Sequence, residues 1–285
     1  MQASLQFIRK ELKDLYPPEE IESFIRLIFS WLKNYSTTDL LLKKDDSLNA
    51  DERDKVVSIV ERLKQHEPIQ YILEETEFYG LTFRVSTDVL IPRPETEELV
   101  DWIIRNNQIP SPRILDVGTG SGCIPITLKA NLPQATVSAC DISTGALGTA
   151  RNNASLNQTE VDFFELDILA NTSLILPEKL DVLVSNPPYI RNQEKALMHD
   201  NVLQFEPHLA LFVDDQSPLI FYAALASFGA HNLNPGGLIY WEINEAFGEQ
   251  CCQLLEQEGY SDIVLRQDLN GKDRMIRARF TQAHM

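Results

Sequence analysis

Hydrophobic residues in the first quarter of the chain recur at helical spacing. Two such stripes are Ile21, Phe24, Ile25, Ile28, Phe29 and Leu32, and then Val56, Val57, Ile59, Val60 and Leu63. The second stripe follows a predicted helix N-cap at Asn49 or Asp51. The pattern predicts a small helical domain over residues 1–73, with both stripes in its core.

The pattern changes between Glu77 and Pro94. Residues 78–85 alternate and are rich in aromatic and β-branched side chains, and an apolar run at 89–91 follows a polar turn at 86–88. We therefore predict a β-hairpin, with residues 74–94 as a linker between two domains. Pro92 and Pro94 stiffen the exit, and the acidic residues after Pro94 are typical of the first turn of a helix.

From residue 95 to residue 285, short apolar runs alternate with helical patterns. The predicted strands are 113–117, 136–141, 161–167, 180–185, 237–243, 263–269 and 275–280. Strands that alternate with helices predict an α/β domain with a doubly wound, mostly parallel, Rossmann-like sheet.

Charge and cysteine content narrow the possible functions. The 285 residues include 42 acidic and 25 basic side chains, for a formal charge of -17, so we expect no direct nucleic-acid binding. The most apolar stretch, 21–32, is too short to span a bilayer and carries two charges, so we expect no membrane association. The opening residues show no secretory pattern.

Four cysteines and five histidines complete the inventory of reactive side chains. They are Cys123, Cys140, Cys251 and Cys252, and His66, His199, His208, His231 and His284. No C-x-x-C pair and no metal-ligand spacing occurs among them, so we expect reduced cysteines, a cytoplasmic location and no metal site.

The strand predicted at 113–117 runs directly into a glycine-rich loop. Its residues are Gly118, Thr119, Gly120, Ser121 and Gly122. A dinucleotide fingerprint needs its third glycine one place later, where Cys123 stands, and no Lys-Ser or Lys-Thr pair follows for a P-loop. The glycines let the backbone turn sharply and approach a ligand at the carboxyl edge of the sheet.

Acidic residues end the next two predicted strands. Asp141 is placed to accept hydrogen bonds from the hydroxyl groups of a ribose, which NAD and S-adenosylmethionine both carry. Asp167 ends the third strand, where the amino group of an adenine could be recognised.

The fourth strand leads into the tetrapeptide Asn186, Pro187, Pro188 and Tyr189. The prolines fix the backbone and remove two N–H donors. The Asn186 side-chain oxygen and the Pro187 carbonyl could each accept one N–H of a planar NH2 group, and Tyr189 could pack against its plane. Such an arrangement would orient a poor nitrogen nucleophile toward an activated methyl group.

Nearly the whole chain resembles the bacterial protein-(glutamine) methyltransferases of the HemK/PrmC type, which methylate peptide chain release factors. The matching segments are 68–73, 78–81, 90–97, 115–122, 186–190, 206–207 and 271–274. The Asn-Pro-Pro-Tyr tetrapeptide also occurs in adenine-N6 methyltransferases, whereas the Ile-Pro-Arg-Pro-Glu-Thr-Glu run at 91–97 is far more specific.

The resemblance implies a class I methyltransferase fold that uses S-adenosyl-L-methionine. By it, the residues from Gly118 to Gly122, with Asp141, Asp167, Ile168 and Asn186, bind the cofactor. Asn186 to Tyr189 would hold the glutamine of the Gly-Gly-Gln loop of release factors, and the helical domain would help to bind the factor. Some relatives carry an aromatic residue where Ile168 follows Asp167 here.

Three alternatives remain at this point. A closely related alternative is the sister enzyme that methylates glutamine on a large-subunit ribosomal protein. An adenine-N6 nucleic-acid methyltransferase would share the glycine loop and the tetrapeptide, but favours a basic face for phosphates. A non-catalytic module could keep the fold as a scaffold, although it would have no reason to retain both Asp141 and Asn186.

Overall fold

The structure is a computed structural model that describes residues 1–43 and 46–281. Its α-helices are α1 (Gln2–Leu12), α2 (Pro18–Lys33), α3 (Thr37–Leu42), α4 (Ala50–Leu63), α5 (Ile69–Leu73), α6 (Pro94–Asn106), α7 (Cys123–Asn131), α8 (Thr144–Leu156), α9 (Asp200–Phe205), α10 (Ile220–Asn232) and α11 (Gly248–Gln257). Its strands are β1 (Glu75–Phe78), β2 (Leu81–Arg84), β3 (Arg113–Val117), β4 (Thr136–Asp141), β5 (Asp162–Glu165), β6 (Leu180–Ser185), β7 (Ile190–Arg191), β8 (Phe212–Val213), β9 (Leu233–Glu242), β10 (Tyr260–Gln267) and β11 (Asp273–Phe280).

The described residues form two compact units. The first comprises residues 1–75 together with 199–205, and the second comprises residues 76–198 and those from 206 onward. The helical unit thus includes α9, a short helix from the middle of the chain that the hydrophobic pattern did not place there.

The first unit is helical, as predicted. The Asn49 side chain accepts a hydrogen bond from the Glu52 N–H, while the Glu52 carboxylate accepts one from the Asn49 N–H, which makes a capping box at the start of α4. This confirms the predicted N-cap. Both stripes supply the core of the unit, which includes Phe24, Ile28 and Phe29 from α2 and Ile59, Val60 and Leu63 from α4. Val57 is the exception: it was predicted in the core but is exposed, because it points about 100° around α4 from its buried neighbour Val56.

The β-hairpin lies earlier than the sequence predicted. Strands β1 and β2 pair across Tyr79 and Gly80, which have φ angles of 50° and 76°. Two consecutive left-handed residues match the twist of paired strands in a two-residue hairpin turn. The run at 89–91 forms no strand, and its Val89 and Ile91 side chains are buried instead.

The second unit contains a seven-stranded sheet with the order β10-β11-β9-β6-β3-β4-β5. β4, β3, β6 and β9 pair in parallel, as do β4 and β5, while β11 pairs antiparallel with both β9 and β10. Helices α6 and α7 contribute to the apolar core on one face, and α10 and α11 to the core on the other. The doubly wound, mostly parallel α/β fold is therefore confirmed.

Four parallel strands deliver residues to one edge of this sheet. Their carboxyl ends are Val117 of β3, Asp141 of β4, Ser185 of β6 and Glu242 of β9. From β3 the chain proceeds outward to β4 and β5 on one side, and it then returns to form β6 and β9 on the other side. Open α/β sheets bind ligands at such a reversal, which here lies between β3 and β6. Within the described residues, no helix is both long and apolar enough to cross a membrane.

Candidate active site at the carboxyl edge of the sheet

A cavity of about 340 Å³ opens at this edge of the second unit. It brings together most of the residues predicted from sequence, namely Gly118, Thr119, Gly120, Ser121, Asp141, Asp167, Ile168, Asn186, Pro187 and Pro188. Gly122 and Tyr189 are not among its lining residues. We call the wall from residues 118–121 to 168 the cofactor side, and the wall around Asn186 the acceptor side.

The glycine loop connects β3 to α7 through left-handed backbone. Gly118, Gly120 and Gly122 have φ angles of 74°, 53° and 80°. The Gly118 and Thr119 N–H groups donate to the Cys140 carbonyl, at 2.9 and 3.0 Å. A Cβ atom on Gly122 would lie 2.9 Å from Ile126 Cδ1, so this glycine permits the turn into α7 and does not contact the ligand cavity.

Asp141 is tied to the same loop through its carboxylate. Oδ2 accepts the Gly120 N–H and Oδ1 accepts the Ser143 N–H, each at 2.9 Å. Burial raises the pKa of Asp141, and these backbone hydrogen bonds oppose the rise. Each oxygen keeps a lone pair, so the carboxylate can accept hydrogen bonds from ribose hydroxyls as the sequence predicted.

Behind the glycine loop lies Asp116, a fully buried acid. Its carboxylate oxygens, and Oγ1 of Thr119 in the cavity wall, form no hydrogen bond of good geometry within the described residues. Burial raises the pKa of Asp116 to about 7, while the neighbouring Thr119 side chain opposes the rise. A buried carboxylate of this kind is stabilised by a proton or by a nearby cation. S-adenosylmethionine carries an ammonium and a sulfonium, so the residues present fit it.

The far end of the cofactor side holds Asp167 and Ile168. The Asp167 Oδ1 accepts the Leu169 N–H at 2.9 Å, which fixes the carboxylate beside the cavity. Ile168 is buried and contributes apolar surface beside Asp167. An acceptor beside a flat apolar wall suits an adenine base.

The acceptor side contains a chain of hydrogen bonds that the sequence did not predict. Asn186 Nδ2 donates to Thr96 Oγ1 at 3.2 Å, and Thr96 donates to Glu242 Oε2 at 2.6 Å. The Tyr189 hydroxyl donates to the other oxygen of Glu242 at 2.9 Å. Burial raises the pKa of Glu242, whereas these hydrogen bonds and the positive charge of Arg274 oppose the rise.

Tyr189 was predicted to pack its ring against a substrate amide, and the contact observed is between its hydroxyl and Glu242. Its hydroxyl is held by Glu242, and Asn244 Nδ2 donates to its backbone carbonyl at 3.1 Å. Contact between the Tyr189 ring and a substrate amide stays a prediction. Asp141 was predicted because it is a charged residue at the end of an apolar strand. Glu242 has the same position at the end of β9, so the same sequence signal could have identified it.

The specific run at 91–97 is fixed by a second buried acid. Glu206 is 4% exposed, and its Oε1 accepts from Arg93 Nη2 at 2.5 Å. Its Oε2 accepts the Ile91 N–H at 3.4 Å. Arg93 and Pro207 both line the cavity, so this ion pair holds two distant segments of its wall in place.

Within residues 1–43 and 46–281, no cluster of His, Cys, Asp or Glu could hold a metal ion. His284, considered in the sequence, lies outside the described residues. The four cysteines are free, and all but Cys252 are fully buried.

Comparisons with known proteins agree with this geometry. Residues 96–210 match the family model of the methyltransferase small domain, and residues 3–73 match that of the PrmC N-terminal domain. A Pyrococcus furiosus methyltransferase has a TM-score of 0.52 at 15% identity, with 82% of this chain and 100% of that chain covered. A T. thermophilus 16S rRNA methyltransferase, solved in complex with AdoMet and guanosine, also has a TM-score of 0.52, at 16% identity, covering 72% of this chain and 49% of that one. Fold and site together define a class I methyltransferase.

Curated relatives narrow this class to one family. Release factor glutamine methyltransferases from Flavobacterium psychrophilum and Bacteroides thetaiotaomicron are each 44% identical, covering 96% and 95% of this chain and 97% of each relative. The chain belongs to the release factor glutamine methyltransferase family. The enzyme of that name from Lactococcus lactis is 39% identical, over 95% of this chain and 98% of its own.

Proposed function

We propose that this protein transfers a methyl group from S-adenosyl-L-methionine to the side-chain amide nitrogen of the glutamine in the Gly-Gly-Gln loop of peptide chain release factors. The relatives at 44% identity are named for methylation of a release factor glutamine and are matched over nearly their whole length. The observation that carries the proposal is the Asn186 amide, whose NH2 is bound by Thr96 within the wall of the cavity. Its oxygen is thereby left to accept a hydrogen bond from a substrate amide.

The acceptor side would orient the glutamine nitrogen. An amide nitrogen is a poor nucleophile because its lone pair is delocalised into the carbonyl group. Asn186 Oδ1 and the Pro187 carbonyl would each accept one N–H of the NH2 group, which turns the lone pair toward the cofactor side. As positive charge develops on the nitrogen, the same two oxygens would stabilise it until the nitrogen releases one of its protons to solvent.

The cofactor side would bind S-adenosylmethionine through the residues predicted for it. Asp141 would accept the ribose hydroxyls, Asp167 and Ile168 would contact the adenine, and the glycine loop would approach the methionine portion. A positively charged ligand in the cavity would stabilise the ionised form of the Asp116 carboxyl behind the glycine loop, which favours such a ligand over a neutral one. When bound, the cofactor would supply a methyl group on a sulfonium, whose sulfur leaves as a neutral thioether when the C–S bond breaks.

A labelling experiment separates this function from its alternatives. The protein is incubated with methyl-labelled cofactor and, separately, with purified release factors, ribosomal proteins and nucleic acid. We expect label on the release factor, and mass spectrometry should place it on the glutamine. A release factor with that glutamine replaced by alanine is the matched control and should stay unlabelled. Label on a ribosomal protein would support the sister activity, and label on nucleic acid would support the adenine-N6 alternative.

We further propose that residues 1–73 form a substrate-docking domain, residues 74–94 a linker and residues 95–285 the methyltransferase domain. Hydrogen exchange of the full chain tests the docking role. Adding release factor should slow amide exchange within residues 1–73, while a short glutamine-containing peptide should not. Protection confined to residues 95–281 would contradict the role. Because release factors act on ribosomes, we also expect the protein in the cytoplasm.

A further inference from the structure

We infer that Glu242, acting through Thr96, determines which end of the Asn186 side-chain amide faces the cavity, so that Thr96 and Glu242 are positioning residues for methyl transfer. The inference rests on the proposed function, because it concerns the amide that would hold the substrate glutamine. It concerns residues 90 and 146 positions apart in sequence, which only the fold brings together.

The direction of each hydrogen bond follows from the chemistry of its ends. An ionised carboxylate only accepts hydrogen bonds, so the Thr96 hydroxyl must donate its proton to Glu242. The hydroxyl oxygen then has lone pairs but no proton for Asn186, and it can only accept there. The end of the Asn186 amide that meets Thr96 is therefore the NH2 group, and Oδ1 is the end left for the cavity.

This polarity matters because the two ends of an asparagine amide have nearly the same shape. Packing alone does not distinguish them, and hydrogen-bond partners decide which end faces which way. A flipped Asn186 would present an NH2 group to the NH2 group of the substrate, so that two donors would meet. The substrate NH2 group would then have no oxygen of Asn186 to donate to, although the side chain had only rotated.

Burial raises the pKa of Glu242, and the groups that oppose the rise and favour its ionised form are the two hydroxyls and one arginine around it. Tyr189 donates to its second oxygen, which leaves both oxygens as acceptors. Arg274 supplies a positive charge that favours the ionised form, and it is held by Asp268, to which its Nε donates at 3.1 Å, and by the Ile243 carbonyl. This gives a physical role to the Gly-Lys-Asp-Arg run at 271–274, which the proposed chemistry did not otherwise use.

A merely structural role for Thr96 would be to tie α6 to the end of β9. Loss of that tie would lower the stability of the protein, whereas loss of Asn186 orientation would lower the rate of methyl transfer in folded protein. The two roles therefore differ in what they predict for a folded variant at saturating cofactor.

The first test is kinetic and uses valine, which has the shape of threonine without its hydroxyl. We expect Thr96→Val to slow single-turnover methyl transfer to the release factor by about 10-fold or more, which corresponds to the loss of one hydrogen bond in a charged network. Thr96→Ser keeps the hydroxyl and should recover most of the rate. Cofactor affinity, measured by calorimetry, should change little in either variant.

The matched control is Thr127→Val. Thr127 is buried in α7 and its Oγ1 has no hydrogen-bond partner in the described residues, so this substitution should leave the rate of transfer unchanged. If Thr96→Val transfers methyl within about 2-fold of the wild-type rate, or if Thr127→Val loses as much, the inference is wrong.

The second test observes Asn186 without any substrate. In ¹⁵N NMR spectra, the side-chain NH2 signals of Asn186 are identified by their loss in Asn186→Asp. We expect them to shift and their protons to exchange faster in Thr96→Val and in Glu242→Gln, but not in Thr96→Ser. Unchanged signals in Thr96→Val would overturn the inference. If the signals respond as expected while wild-type protein leaves every release factor unlabelled, the proposed function fails and the positioning role of Thr96 and Glu242 stands.

Discussion

On the cofactor side of the cavity, neighbouring residues bind one another through the backbone, whereas the acceptor side depends on side chains from distant parts of the chain. The glycine loop and Asp141 are joined by N–H groups of Gly120 and Ser143. Asn186, Thr96 and Glu242 are joined only through their side chains, and they belong to three different elements or their ends.

This difference has a consequence for how each side tolerates change. Backbone contacts depend on conformation, so the cofactor side should be sensitive to glycine substitutions and to loss of the Asp141 carboxylate. Side-chain contacts depend on chemical identity, so the acceptor side should be sensitive to changes that preserve shape. Cofactor affinity and transfer rate should therefore respond to different sets of variants.

The largest effect should come from Asn186→Ala, which removes the acceptor oxygen altogether. We expect single-turnover methyl transfer to fall by ~10²-fold or more, as for removal of one preorganised polar group. Cofactor affinity should fall much less, because its main contacts lie on the other side. Transfer at a near wild-type rate would place the reacting groups elsewhere and leave Asn-Pro-Pro-Tyr as a rigid turn.

The corresponding change on the cofactor side is Asp141→Ala. Loss of hydrogen bonds to a charged group should weaken cofactor binding by about 1.5–3 kcal/mol, measured by calorimetric titration. Asp162→Ala is the control, since Asp162 is exposed at the start of β5 and does not line the cavity. Unchanged affinity in Asp141→Ala would show that the ribose is held by other groups.

The third effect is a dependence of stability on pH that arises from Asp116. Burial raises the pKa of this carboxyl from the ordinary 3.8 to about 7. Between these values the folded protein keeps a proton that the unfolded chain has lost, so this carboxyl reduces stability progressively as pH rises toward 7. Asp116→Asn removes the titration. Without cofactor, the difference in free energy of unfolding between the variant and the wild type should therefore be about 2 kcal/mol larger, in favour of the variant, at pH 8.5 than at pH 5.5.

Denaturant unfolding of both proteins at each pH measures this difference. A constant offset between variant and wild type across the two pH values would mean that Asp116 does not titrate in this range.

The smallest effect should be that of Gly122→Ala on stability. The new Cβ would meet Ile126 Cδ1 at 2.9 Å and Ala150 Cβ at 3.1 Å, at a φ of 80°. We expect a loss of about 1 kcal/mol or somewhat more in the free energy of unfolding. Gly148→Ala is the control, because nothing lies within 4 Å of its Cβ and helix α8 favours alanine, so it should be neutral or stabilising. Equal losses in both variants would contradict the backbone argument.

The same difference explains what could be predicted from the sequence. Strands β3, β4 and β6 have the predicted limits because each is an apolar run bounded by polar or glycine residues. The hairpin was misplaced because Tyr79 gives no local sign of a left-handed conformation, which its neighbour Gly80 and the pairing of the strands impose. β9 begins at Leu233, ahead of a Pro-Gly-Gly stretch typical of turns, because its pairing with Leu180 of β6 extends it.

In the site, the glycine loop and the acids Asp141 and Asp167 are local patterns, and the structure places them at one cavity. Asp141 ends β4 as predicted, whereas β5 ends at Glu165, so Asp167 lies just beyond its strand and does not end it. The partner of Asn186 was not predictable in the same way. Thr96 was visible only as part of a motif, and its bond to Glu242 depends on the pairing of β9 with β6, which no spacing along the chain expresses.

Because helix α9 belongs to the helical unit, this unit cannot be completed until the ribosome has synthesised residues far along the chain. The unit takes its first 75 residues from the start of the chain but its last seven-residue piece from positions 199–205. During translation, the ribosome must therefore produce four of the seven strands of the large sheet, β3 to β6, before the helical unit has all its parts. Domains whose residues are contiguous can fold as they emerge, from the amino terminus onward. Here residues 199–205 are synthesised only after strands β3 to β7. The first unit can therefore be completed only after a large part of the second unit has been synthesised.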